Sequence, residues 1–160
     1  MSSGLTHLDQ SGRGRMVDVS DKDVTRREAT ARATVLMQPE TARLIASGGV
    51  AKGDVLAVAQ VAGVMAAKRT PDLIPLCHPL PISGVDMTFD LDTEQAQLEI
   101  RATVRVTSRT GVEMEALTAV SVAALTVYDM CKAVDRGMTL TNIELLHKAG
   151  GKSGEYTRKP

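Results

Sequence analysis

Apolar and polar residues alternate with a period of two from Arg26 to Met37. Ala29, Ala31, Ala33, Val35 and Met37 share one face and Thr30, Arg32 and Thr34 the other, which predicts a half-buried strand. The period then lengthens. Pro39 suits the first turn of a helix, where its missing N–H is not needed. Leu44 and Ile45 give that helix an apolar side, and Gly48-Gly49 stops it. Asp54 suits the N-cap of a second helix. Val55, Leu56, Val58, Val61, Val64 and Met65 place apolar groups almost all round it. A helix apolar on every side is buried on every side. A chain of this size offers little room for that, so an oligomer is expected. Lys68-Arg69 close the helix favourably for its dipole. Pro71, Pro75, Pro79 and Pro81 then mark a stiff, irregular segment. Val85, Met87, Phe89 and Leu91 alternate with Asp86, Thr88 and Asp90. Beyond the polar turn Asp92–Gln95, Leu98, Ile100, Ala102, Val104 and Val106 alternate with Glu99, Arg101, Thr103, Arg105 and Thr107. This reads as an antiparallel hairpin. Leu117, Val120, Ala124, Val127 and Cys131 recur at three and four, predicting a long helix over Met114–Val134, ended by Gly137. Leu140–Leu146 reads as a last strand.

The order is strand, two helices, strand, strand, helix, strand. It points to an α+β fold, a ferredoxin-like βαββαβ sandwich, with helices on one face of an antiparallel sheet and one inserted helix. Residues 1–25 read as a partly ordered arm, 26–148 as a single catalytic domain and 149–160 as a flexible, Gly- and Lys-rich tail.

Composition narrows the classes. The chain has 160 residues, 43% apolar, with 19 Lys+Arg against 19 Asp+Glu. The balance gives no global field for nucleic acid or anionic lipid. No apolar run approaches the ~20 residues of a membrane helix, and no signal peptide is visible. Two cysteines, Cys77 and Cys131, are too few for a disulfide framework and fit a reducing cytoplasm. Phe89, Tyr128 and Tyr156 are the only aromatics, so the core is aliphatic. A single-strand RNA sheet needs stacking aromatics, and the outward hairpin positions have none.

Several segments carry candidate chemistry. In Leu76-Cys77-His78-Pro79 the Cys-His pair invites zinc, but Cys131 and His147 lack ligand spacing, so no metal site is expected. The prolines instead suit holding His78 at fixed geometry. Glu113, Met114 and Glu115 open the long helix, where acids favour the dipole. They also suit the amino and ring N–H groups of a polar heterocycle. Asp129 and Lys132 share a helix face at i, i+3. They are a surface ion pair worth about 0–1 kcal/mol, or an acid–base couple in a cleft. Lys52 precedes a helix N-terminus, where it opposes the dipole; an anion held by the helix N–H groups would account for it. Gly151-Lys152-Ser153-Gly154 resembles a phosphate loop, but Leu146 stands where a P-loop needs its first glycine. A cationic lid built on Lys148, Lys152, Arg158 and Lys159 remains compatible with these residues.

Taken together, His7, Met16–Val19, Lys52-Gly53-Asp54, Ala66–Thr70, Asp72–Leu80, Thr110–Ala119, Ala123–Lys132 and Gly150–Gly154 resemble, in order, the molybdenum cofactor biosynthesis protein C family. These are the cyclic pyranopterin monophosphate synthases, and the likeness covers nearly the whole chain. It implies a lyase that converts (8S)-3′,8-cyclo-7,8-dihydroguanosine 5′-triphosphate to cyclic pyranopterin monophosphate and releases pyrophosphate. It implies no cofactor. It also implies a homo-hexamer, a trimer of dimers with active sites at subunit interfaces. Asp129 and Lys132 resemble the family's catalytic pair and Lys52 its second essential lysine. Leu76, Cys77 and His78 resemble its substrate loop. Glu113, Met114 and Glu115 resemble the segment that holds the purine-derived ring. Arg27, Lys68, Lys148 and Lys152 resemble cations lining the site or its phosphates. The competing reading is a non-catalytic nucleotide-binding sensor on the same fold.

Overall fold

A computed structural model describes residues 5–160. Its elements are β1 (Thr25–Leu36), α1 (Pro39–Ala46), α2 (Val55–Lys68), α3 (Thr70–Leu73), β2 (Ile82–Asp92), β3 (Gln97–Ser108), α4 (Glu113–Cys131), β4 (Thr139–Ala149) and β5 (Tyr156–Thr157). The sheet order is β2-β3-β1-β4-β5, with every pairing antiparallel. This is the ferredoxin-like arrangement with a short fifth strand added at one edge. Two elements lie outside the expected pattern. α3 is a single turn set in the proline-rich segment, with Pro71 as its second residue. β5 folds back to pair with His147 and Lys148.

The period-2 faces behave as their composition dictates. Ala29, Ala31, Ala33 and Val35 of β1 are fully buried, as are Leu98, Ile100, Ala102, Val104 and Val106 of β3. They form one core with α2 and α4. The opposite face is polar and satisfies itself laterally. Thr30 and Thr103 share a 2.8 Å hydrogen bond. Arg32 is ion-paired to Glu144 and lies 3.6 Å from Glu99. Arg105 bridges Glu28 at 2.8 Å and Asp86 at 2.5 Å.

α2 and α4 cover the apolar face, and they pack so closely because of Gly63. A Cβ there would lie 3.1 Å from the Ala119 carbonyl and on top of the Met87 sulfur. One side of α2 is buried through Val55, Ala59, Ala66 and Ala67. Its other side leaves Val58, Val61 and Met65 exposed, and α4 likewise exposes Leu125. The all-round apolar pattern thus divides into an inner face and an unpartnered outer face. α4, at 19 residues, is long and apolar enough by composition to cross a membrane. Its stripe from Ala116 to Cys131 is instead buried in this core.

α4 ends sooner than its apolar period. The Lys132 amide closes the last turn on the Tyr128 carbonyl at 2.8 Å. The chain then bends so that buried Asp135 reaches α1. Asp135 Oδ2 accepts from the Gln38 amide at 2.8 Å and from Thr41 Oγ1 at 3.0 Å. Gln38, at the N-cap of α1, makes no side-chain cap of its own. A carboxylate from 97 residues away therefore satisfies this N-terminus.

Candidate active site

The candidate residues gather at opposite ends of the helical layer. At one end, α2 begins and α4 finishes. Asp54 caps α2 by accepting from the Ala57 amide at 3.0 Å. The turn before it runs through Gly53 at φ +111, a left-handed conformation that glycine adopts without a Cβ penalty. Lys52 leaves that turn and reaches across to α4. Its Nζ donates to the Asp129 carbonyl at 2.9 Å and to Asp129 Oδ2 at 3.1 Å. Lys132 Nζ lies 2.8 Å from Asp129 Oδ1. An anion in the last turn of a helix opposes the dipole, and two cations offset that cost. Hydrogen bonds from Lys132 and then Lys52, reinforced by their charges, hold the Asp129 carboxyl below the usual carboxylate range. The i, i+3 pair is therefore part of a three-residue cluster whose members keep about half of their surface open to solvent.

At the other end of α4 lies an open cavity of about 900 Å³. Three segments of the chain meet in its walls. The segment Ile74–His78 contributes the proline-stiffened wall. Glu113, Met114 and Glu115 contribute the start of α4. Thr6, His7, Val17, Val19 and Lys22 contribute the N-terminal arm. The Val17 carbonyl accepts from His78 Nε2 at 2.8 Å. A carbonyl can only accept, so Nε2 carries the proton and Nδ1 is left to face other partners. Glu115 is only 3% exposed. Burial pushes its carboxyl up to about 7, helped by the nearby charge of Glu113. Burial, and then the Glu115 charge, also raises the Cys77 thiol. The cavity therefore offers one carboxyl that is half neutral near pH 7, beside one imidazole of fixed tautomer.

A second cavity of about 570 Å³ lies between the arm and the C-terminal loop. Arg27 is fixed there: its Nε donates to the Ser108 carbonyl and its guanidinium to the Arg109 carbonyl, both at 3.1 Å. Gly150 and Gly151 have φ +95 and +79. A side chain on Gly150 would strike the Arg26 carbonyl, and one on Gly151 the Arg27 guanidinium. The glycines thus let the loop close on the arginine, with Lys152 and Ser153 in the cavity wall. Lys148 lines neither cavity but links a wall residue of each, being bonded to Ser153 and 3.5 Å from Glu113.

Lys68, by contrast, ends α2 on the exposed surface and lines neither cavity. Cys77, His78, Cys131 and His147 do not converge: Cys131 is in the core and His147 pairs with Glu155. Among the described residues no group of three or more His, Cys, Asp or Glu is placed to hold a metal ion. Lys22 lines the first cavity without any local sequence signal of that role. Glu115 and Asp129, 14 residues apart on one helix, stand about 21 Å apart along its axis.

The chain matches the MoaC family over residues 16–151. It is similar to the cyclic pyranopterin monophosphate synthase of Pelotomaculum thermopropionicum, with 62% identity over 98% of this chain and 92% of that protein. The enzyme of the same name from Heliobacterium modesticaldum is 62% identical over 97% of this chain and 98% of its own length. That from Chloroflexus aggregans is 63% identical over 97% and 94%.

Proposed function

Because the chain belongs to the MoaC family, we propose that it carries out the reaction in its relatives' name, as a lyase forming cyclic pyranopterin monophosphate in molybdenum cofactor biosynthesis. The substrate in this reading is (8S)-3′,8-cyclo-7,8-dihydroguanosine 5′-triphosphate, and pyrophosphate is the second product. One observation carries it: two lysines from different segments share a single carboxylate, Asp129, where α2 begins and α4 ends. Opening and reclosing a purine-derived ring moves protons on and off nitrogen and oxygen. Lys132 and Lys52 supply ammonium protons for those transfers, and Asp129 fixes the direction in which each points. In the cyclisation, a substrate hydroxyl oxygen attacks the α-phosphorus and its proton passes to a base. The bond to the bridging oxygen breaks, and pyrophosphate leaves with the electron pair. Cations facing the leaving group stabilise that charge, a role that suits Arg27, Lys148 and Lys152. The heterocycle fits the first cavity, with Glu113 and Glu115 toward its amino and ring N–H groups and Leu76, Cys77 and His78 along its side.

The reading requires two copies of the chain. A reacting ring must come within about 3 Å of the groups that move its protons, yet the lysine cluster and Glu115 stand about 21 Å apart by helix rise. Two-fold packing of the exposed Val58, Val61, Met65 and Leu125 surface sets two helical layers against each other. With the layers antiparallel, the lysine cluster of one copy meets the cavities of the other. Three such pairs make the homo-hexamer. Lys68, stranded in a single chain, lies at the end of α2 that such a pairing would cover. The two free cysteines agree with a cytoplasmic setting.

Incubating the full chain with this substrate tests the reading. Pyrophosphate and a product of pyranopterin mass should appear together, and Lys52→Ala should lower the rate at least 100-fold. Tight binding with substrate returned intact would refute catalysis and leave a nucleotide sensor.

A further inference from the structure

Lys22 is common to the walls of both cavities. Its backbone is held at two points. The amide donates to the Val19 carbonyl at 3.0 Å, closing a turn, and the carbonyl accepts from Arg109 Nε at 3.1 Å. Asp18 stiffens the same turn through Ser20, whose amide and hydroxyl both donate to Asp18 Oδ1. The arm just upstream is anchored by His78 on the Val17 carbonyl. Arg109, whose own carbonyl accepts from Arg27, holds the Lys22 backbone and leaves little freedom in where the Lys22 side chain starts. Asp21 and Asp23 flank it and also line the second cavity. Among the described residues, however, the Lys22 ammonium forms no ion pair within 4 Å with these or other carboxylates. Here the charge is left for something that enters between the cavities.

We propose that Lys22 is a substrate-binding residue that holds the phosphate directly attached to the nucleoside, at the junction of the ring cavity and the phosphate cavity. The proposal rests on the ring and phosphate assignments above. A nucleotide laid across the two spaces places its heterocycle beside Glu115 and its outer phosphates beside Arg27 and Lys152. Only the sugar and the first phosphate occupy the junction. The N-terminal arm is then a wall of the site, and its cation faces the phosphorus atom at which the cyclic phosphate closes. An ammonium at that atom compensates charge that builds on the non-bridging oxygens as the hydroxyl attacks.

The position along the phosphate chain makes the proposal testable without turnover. Affinities of the full chain for guanosine monophosphate and guanosine triphosphate are measured by calorimetry, for the native sequence, Lys22→Ala, Lys22→Arg and Lys152→Ala. Loss of a charge-assisted hydrogen bond weakens binding about tenfold or more. Lys22→Ala should weaken both nucleotides by the same factor, whereas Lys152→Ala should weaken only the triphosphate. Lys22→Arg should recover most of the loss. Unchanged monophosphate affinity in Lys22→Ala, or a loss confined to the triphosphate, would overturn the assignment. Far-ultraviolet circular dichroism of each variant separates a binding loss from misfolding. Absence of pyranopterin from the native chain with this nucleotide pattern intact would refute the reaction and spare Lys22. Normal turnover with a flat nucleotide profile would do the reverse.

Discussion

Replacing Glu115 by glutamine should make the protein more stable, and more so as the pH rises. The carboxyl is almost fully buried at the start of α4, and burial raises it from 4.5 to about 7. Below 4.5 the side chain is neutral whether the chain is folded or not, and its charge costs nothing. Above about 7 it is ionised in both states, and the folded state bears the whole desolvation cost. A shift of this size corresponds to about 3 kcal/mol. The cavity is open on one side, and solvent screening brings the figure closer to roughly 2 kcal/mol. Glutamine has the same shape and no charge to desolvate. Urea unfolding of both proteins at one fixed chain concentration, from pH 5 to pH 8.5, isolates the effect, because all other titrating groups cancel in the difference. The substituted protein should gain less than about 1 kcal/mol at pH 5 and roughly 2 kcal/mol at pH 8.5. A gap that stays constant across that range would show that Glu115 is ionised at the same pH in the folded and unfolded chain. The account of the cavity as a desolvating environment would then be wrong.

Two further outcomes follow from the helical layer. Gly63→Val drives a branched side chain into the Ala119 carbonyl and the Met87 sulfur, and should cost about 1–3 kcal/mol in chemical unfolding; an unchanged midpoint would mean that α2 and α4 do not pack this closely. Val61→Asp places a charge on the exposed outer face of α2; sedimentation should show smaller species, with activity falling in parallel, and an intact assembly would place the two-fold contact elsewhere.

Strands and long helices were legible because their periods are enforced by burial. β1 and β3 bury every second residue without exception through their centres, so alternation alone locates them. α3 and β5 were not legible, because four and two residues are too short to hold a period. The apolar period carries α4 on to Val134, three residues past its end at Cys131, for a different reason. Val134 continues the apolar pattern, but Asp135 is drawn to the N-terminus of α1, and that tertiary bond bends the chain first. Of the candidate site, the pairing of Asp129 with Lys132 follows from helix geometry. That Lys52 joins them does not, since 77 residues separate the partners and only the antiparallel packing of α2 on α4 brings them together. The separation of the lysine cluster from the cavity was equally hidden. Residue types and resemblance place both in one reaction, while the length of α4 sets them apart in one chain. Lys22 carries no signal at all, lying in a polar arm with no periodicity.

The core that carries these groups is made mostly of small pieces. Among the described residues thirteen of the 27 buried apolar residues are alanine, so at nearly half of the interior positions only glycine is smaller. Most cores lose stability by being hollowed out, one methylene at a time. This one has little to remove and is exposed to the opposite error, because any larger residue lifts a helix off the sheet. Drift is therefore one-directional. Alanine also has no rotamers to lose on folding and none with which to absorb an intruder. Both ends of α4 are held by the same unyielding spacer. An enlargement in its middle would displace the lysine cluster and the acidic entrance to the cavity in one movement, although it touched neither.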